Sequence, residues 1–286
     1  MNEPVERTFD VPGLSLAARE WGTAGELPVI ALHGWLDNAG SFDLLAPQLS
    51  GVHLIALDCA GHGLSGHRSP DATYNVWQDV PDVFAVASRL GWDRFTLLGH
   101  SRGAAIASLA AGTFPERITS LVLIDGGIPL PGEPSEGPQR FAMSVAARDK
   151  QRADRGRVFP TREDAIRERS RGFTETTFAA AEILARRSLR ETEGGFSWFV
   201  DQRLKGESEL RLSRDQISAF MRAITAPTLA LLASRSPLTK RDGFQSLLRD
   251  IPDIELLEIE GGHHFHLENA VDEIAARVQT HLESAH

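Results

Sequence analysis

The stretch Arg94-Phe95-Thr96-Leu97-Leu98-Gly99-His100-Ser101-Arg102-Gly103-Ala104-Ala105-Ile106 decides the fold. Residues 94–98 read as a strand closed by Gly99, and 103–114 as a helix of small residues that allows close helix–sheet packing. Between them lies the pattern G-x-S-x-G. A turn from strand straight into helix is so sharp that its central residue takes a strained backbone conformation. Side chains two positions to either side would collide with it, and glycine at 99 and 103 removes the collision. The turn lifts the Ser101 hydroxyl to the carboxyl edge of a sheet, where open α/β sheets bind ligands, and the helix starting there points N–H groups at the same place. In this context the serine reads as a nucleophile rather than part of an ordinary glycine-rich turn.

Residues 27–32, 52–57, 120–124, 227–233 and 255–259 are further short, mostly apolar runs. Segments 76–90, 244–248 and 271–282 carry apolar residues at helical spacing. This alternation predicts a mostly parallel sheet flanked by helices, with strands apolar on both faces because both are covered. The middle differs. Residues 129–138 hold four prolines and two glycines, a linker-like stretch that regular structure does not occupy. From Arg140 to Arg222 there follow 16 arginines and two lysines against 13 acids, net +5 in a chain of net −9, leaving −14 elsewhere. The expectation is amphipathic helices forming a cap over 128–224, inserted into a core of 1–127 and 225–286. Its arginines read either as solvated helix faces or as a positive inner face for an anionic substrate.

With 286 residues, 42% hydrophobic and 24% charged, the composition excludes disorder, collagen and coiled coil. The single cysteine, Cys59, excludes an internal disulfide framework and suits a reducing cytosol. No apolar run is long enough for a bilayer, and residues 1–7 hold no signal-peptide core, so a cytoplasmic location is expected. Net negative charge speaks against nucleic acid or an anionic membrane as partner. Oligomeric state stays open between monomer and homodimer.

A serine hydroxyl needs a base within hydrogen-bond reach. Gly261-Gly262-His263-His264-Phe265-His266-Leu267-Glu268 follows the last predicted strand, so its histidines also lie on the carboxyl edge. His263, nearest the strand end, is the choice, while His264 and His266 are left to pack or cap the next helix. A metal site is the alternative use of three clustered histidines, but no cysteine or acid recurs nearby at ligand spacing, and neither metal nor cofactor is expected. Asp58-Cys59-Ala60-Gly61-His62-Gly63-Leu64-Ser65 reads as a tight structural loop.

Taken together, residues 33–43 (HGWLDNAGSFD), Asp58-x-x-Gly61-His62-Gly63-x-Ser65, Gly99-His100-Ser101-Arg102-Gly103 and Gly262-His263-x-x-His266-Leu267-Glu268 resemble an α/β-hydrolase-fold enzyme of the serine hydrolase-like branch. The resemblance covers roughly residues 10–127 and 225–284. It implies His263 as the catalytic histidine and an oxyanion hole from the backbone N–H groups of Trp35 and Arg102. The usual acid position after the strand at 227–233 holds Ser236, which supplies no negative charge for an imidazole. Some members, resembling certain haloalkane dehalogenases in this respect, carry the acid after the preceding strand. That position is Asp125, with Asp242 in reserve.

The expected function is a cofactor-free serine hydrolase acting on a small-molecule carboxylic ester or related acyl compound. The same fold and residues also serve C–C bond hydrolysis, perhydrolysis, cofactor-free dioxygenation or a non-catalytic small-molecule receptor. Trp35, Phe141, Trp198 and Phe199 are candidates for an apolar pocket wall.

Overall fold

The computed structural model describes residues 3–172 and 174–285. The chain opens with a hairpin, β1 (Val5–Val11) and β2 (Leu14–Trp21), turned at Pro12-Gly13 with Gly13 at φ 74°. Two buried strands follow, β3 (Leu27–Leu32) and β4 (Val52–Leu57). A 3₁₀ turn at Val76–Asp79 leads into α1 (Val80–Leu90). The helix expected from residue 76 begins later because Pro81, which has no N–H to give, suits a first turn and no later position. Then come β5 (Phe95–His100), α2 (Arg102–Thr113) and β6 (Ile118–Ile124). An insertion carries α3 (Gly137–Ala153), β7 (Val158–Phe159), α4 (Arg162–Ser170), α5 (Phe178–Ser188), β8 (Leu189–Thr192) and β9 (Gly195–Trp198). The chain ends with α6 (Arg214–Ala223), β10 (Thr228–Ala233), α7 (Phe244–Leu248), β11 (Ile254–Ile259) and α8 (Val271–Ser284).

Eight strands form one sheet in the order β1-β2-β4-β3-β5-β6-β10-β11. The first two join antiparallel and every pairing from β4 onward is parallel. Two apolar clusters cover its faces. One holds α1, α2 and α6 against Ile30, Leu97 and Leu121; the other holds α8 against Val29, Leu98 and Val122. Alternate residues of each central strand thus reach opposite faces, and both faces are dry.

The structure departs from the sequence expectation in further places: the linker-like stretch over 129–138 ends in a 3₁₀ turn, Pro134–Glu136, and the first turn of α3, where Pro138 is tolerated. Helix α6 lies inside the span assigned to the cap, yet Ile217 and Met221 are buried in the same cluster as Ile106 and Leu109 of α2. The two helices cross so closely that a Cβ on Gly112 would stand 2.4 Å from the Phe220 carbonyl oxygen. The insertion is also not wholly helical: β7-β9-β8 make a small antiparallel sheet. Glu193-Gly194 turns the β8–β9 hairpin with Gly194 at φ 88°, and a Cβ on Gly195 would stand 2.0 Å from the Phe159 carbonyl. No helix among the described residues is long and apolar enough to cross a membrane.

The insertion is bolted to the sheet by buried polar groups. Arg187 of α5 donates to both oxygens of Asp58 at 3.0 and 2.8 Å and reaches Glu6 of β1. Asn38 donates to the Leu184 carbonyl and the Ser188 hydroxyl. The Arg187 and Asp58 side chains are 2% and 0% exposed, so removing either strands a charge in a dry interior. Arg187→Ala is expected to lower stability by about 3–5 kcal/mol. Breaking the exposed Arg167–Glu163 pair should cost under ~1 kcal/mol. Urea unfolding of the two variants measures the contrast, and equal losses would contradict it.

Candidate active site

The chain passes from β3 to its neighbour β4, then crosses back to β5 on the other side of β3. The strand order reverses there, which opens a crevice between the loops that follow β3 and β5. Ser101 sits at that crevice with φ 54° and ψ −115°, the strained conformation expected of the turn. A Cβ on Gly99 would lie 2.5 Å from the Ala104 nitrogen, and one on Gly103 would lie 2.0 Å from the Leu32 carbonyl oxygen at the end of β3. A third glycine, Gly126, approaches from the end of β6, where a Cβ would stand 2.5 Å from the Ser101 carbonyl oxygen. Its role was not legible in sequence because the contact is made by segments 25 residues apart.

Three side chains from the ends of β5, β6 and β11 meet. His263 Nε2 lies 2.9 Å from Ser101 Oγ, and His263 Nδ1 lies 2.5 Å from Asp125 Oδ2. A carboxylate only accepts, so Nδ1 carries the proton and Nε2 presents its lone pair to the serine hydroxyl. Asp125, fully buried, is fixed from behind: its Oδ1 accepts from the Ala233 N–H at 2.9 Å, and its own N–H donates to Leu231. Ser236 is buried and its hydroxyl accepts from the Leu238 N–H. Asp242 is exposed and makes no hydrogen bond or ion pair to His263 among the described residues. Burial pushes the His263 imidazole down to about 4; its neighbours His100 and His264 add to that, and Asp125 opposes it. The ring is therefore a neutral base at pH 7.

The loop after β3 is shaped by two histidines. His33 Nε2 accepts from the Cys59 N–H, so its Nδ1 is the donor and holds the Gly34 carbonyl at 2.7 Å. A trans peptide points its N–H opposite its carbonyl, so pinning Gly34 C=O aims the Trp35 N–H the other way. His62 donates through Nδ1 to the Ala60 carbonyl and accepts from the Leu36 N–H, holding Leu36 at φ 62°. Neither the Trp35 nor the Arg102 backbone N–H donates a hydrogen bond among the described residues, and Arg102 opens α2.

Behind the triad-like group lies a cluster whose centre, Asp37, had no role assigned from sequence. Its carboxylate takes Arg169 Nη2 from α4 at 2.5 Å and His264 Nε2 at 3.2 Å, with His100 Nδ1 at 3.6 Å. Burial raises the Asp37 carboxyl, but His264 and Arg169 reverse this and hold it well below the usual range. His100 donates through Nε2 to the His263 carbonyl, and His266 pairs with Ser41. Asp37, His100 and His264 could converge on a metal ion, but the Arg169 guanidinium already supplies a cation to that carboxylate.

A cavity of about 550 Å³ holds Ser101 and His263. A neighbouring cavity of about 300 Å³ shares Trp35 and Lys205 with it and takes Trp198 and Phe199. Phe141, expected in a pocket wall, is half exposed and lines neither.

The family model described as "alpha/beta hydrolase fold" matches residues 28–270, and the chain belongs to that family. Within it, the chain falls in the serine hydrolase-like branch. It is 31% identical to a serine hydrolase-like protein of Danio rerio across 92% of this chain and 84% of that one. It is 28% identical to serine hydrolase-like protein 2 of Homo sapiens across 98% and 95%. The crystal structure of a hypothetical protein from Pseudomonas aeruginosa PAO1 superposes with a TM-score of 0.91 at 42% identity, covering 99% of each chain. Membership and these relatives support hydrolase activity.

Burial lowers the proton affinity of five histidines packed around this edge, His33, His62, His263, His264 and His266. The unfolded chain therefore binds more protons below pH 6.5, and stability falls as pH falls through that point. Between pH 7.5 and 5, His263 alone should remove about 2 kcal/mol. Melting temperature measured across that range should drop steeply below 6.5, whereas a flat profile would contradict the buried neutral histidines.

Proposed function

We propose that the protein is a cofactor-free serine hydrolase of carboxylic esters or related acyl compounds, working through an acyl-enzyme. The observation that carries this reading is the unbroken chain from Asp125 through His263 to Ser101 Oγ, at 2.5 and 2.9 Å, facing the larger cavity.

In the first half-reaction Ser101 Oγ attacks the carbonyl carbon while His263 Nε2 takes its proton. Negative charge develops on the carbonyl oxygen, and the N–H groups of Trp35 and Arg102 stabilise it; such donors are worth most where they are preformed. Asp125 holds the imidazole in the required tautomer and stabilises the imidazolium. His263 then protonates the departing alcohol, and a water activated by the same ring releases the acid. Residues 128–213 act as the cap, with α6 assigned to the core, and Arg187 and Arg169 tie the cap to the sheet.

Turnover of p-nitrophenyl esters of graded chain length tests this reading. Ser101→Ala should abolish it. Asp125→Asn keeps an acceptor for the Ala233 N–H but offers an N–H to His263 Nδ1, which selects the wrong tautomer. Its melting temperature should stay near wild type while kcat falls by about 10⁴. Near-normal turnover in either variant would contradict the mechanism.

The pH profile gives a separate check. The base works only when neutral, so kcat/KM should stay level from pH 7.5 down to about 5.5, with its acid limb near the value of about 4. Half-loss at pH 6.5 would show an imidazole that burial has not shifted.

A further inference from the structure

The charges on the wall of the larger cavity mostly cancel in pairs. Arg102 is taken by Asp79, and Asp37 by Arg169. Glu207 is shared by two guanidiniums, Arg140 at 2.8 Å and Arg211 at 3.1 Å. Arg241, on the loop between β10 and α7, has no carboxylate within ion-pair distance among the described residues. Arg211 and Arg241 both line the cavity that holds Ser101. Burial and then the repulsion of Arg140 lower the proton affinity of Arg211, Glu207 opposes them, and Arg241 adds to the lowering.

The same walls are apolar next to these cations. Leu210 and Leu212 flank Arg211 in sequence, Leu238 and Phe244 flank Arg241, and Ile128 and Leu130 lie along the stretch leaving Gly126, which itself touches Ser101. That stretch runs from Gly126 past Ile128 and Leu130 to Gly132, where a Cβ would stand 2.7 Å from Arg211 Cβ, so a ligand following it from Ser101 meets hydrocarbon and then the Arg211 side chain.

Resting on the hydrolase reading above, we infer that the acyl part of the substrate is an apolar chain ending in a carboxylate, which Arg211 and Arg241 hold while Ser101 attacks the ester at the other end. Arg241 and Lys205 have no carboxylate within ion-pair distance among the described residues and Glu207 is divided between two guanidiniums, so the wall carries an excess of positive charge that calls for an anion, and the planar fork of arginine matches a carboxylate in two parallel hydrogen bonds.

The test compares mono-p-nitrophenyl esters of glutarate, adipate and suberate with neutral p-nitrophenyl esters of the same chain lengths. At one of these lengths kcat/KM for the acid-ended ester should exceed that of its neutral partner by about tenfold or more at low salt. The ratio should collapse to within about threefold of unity in Arg211→Gln/Arg241→Gln. Arg94→Gln, an exposed charge outside the cavity, should leave the ratio as in wild type. Equal rates for both series in the wild type, or a ratio that survives the double variant, would overturn the inference while leaving the hydrolase reading intact.

Binding of monomethyl adipate to Ser101→Ala, measured by calorimetry, separates the two claims from the other side. Binding that weakens about tenfold on adding Arg241→Gln supports the anion site even if no ester is cleaved, in which case the hydrolase reading falls alone. Binding indifferent to Arg241 would overturn the anion site.

Discussion

The close approach of α2 to the end of β3 governs the whole carboxyl edge. With no side chain at Gly103, the helix comes so close to the end of β3 that a Cβ there would stand 2.0 Å from the Leu32 carbonyl oxygen, and the backbone at Ser101 is driven to φ 54°. A non-glycine residue holds such a conformation only when its surroundings over-determine it. Here three glycines do so, Gly99 and Gly103 from its own turn and Gly126 from the next strand's end. The hydroxyl thereby stands on a rigid turn rather than a loop, which is what a nucleophile with a fixed base requires.

The parts of the fold that were legible in sequence are those where burial dictates composition. Residues 27–32 and 52–57 are apolar except for His53 because β3 and β4 have a strand on either side and packed helices over the sheet, and their bounds coincide with the observed strands. Strand β1 was not legible. It is an edge strand with Val5, Glu6, Arg7 and Thr8 exposed, so no core imposes a pattern on it, and only Pro12-Gly13 marks its turn. The β8–β9 hairpin failed for a similar reason, since its residues are at most half-buried and its one signal is Glu193-Gly194-Gly195.

At the site, local motifs brought Ser101, His263 and the loop after β3 into view, and the serine at position 236 redirected attention to Asp125. The structure places Asp125 against His263 and Asp242 away from it. Long-range pairs were beyond reach. Asp37 meets Arg169 across 132 residues and Asp58 meets Arg187 across 129, and no periodicity encodes such partners. The excess of arginine between residues 140 and 222 was visible as a number, but not its division into anchors such as Arg187 and cavity-lining groups such as Arg211.

In the proposed mechanism His263 activates Ser101 and no other hydroxyl in the chain. Reaction of the intact protein with a fluorophosphonate, followed by mass spectrometry of the modified peptide, tests it directly. A single adduct on Ser101, formed at least about a thousandfold more slowly in His263→Ala, is the predicted result. An unmodified wild-type protein, or equal labelling rates with and without the imidazole, would contradict it.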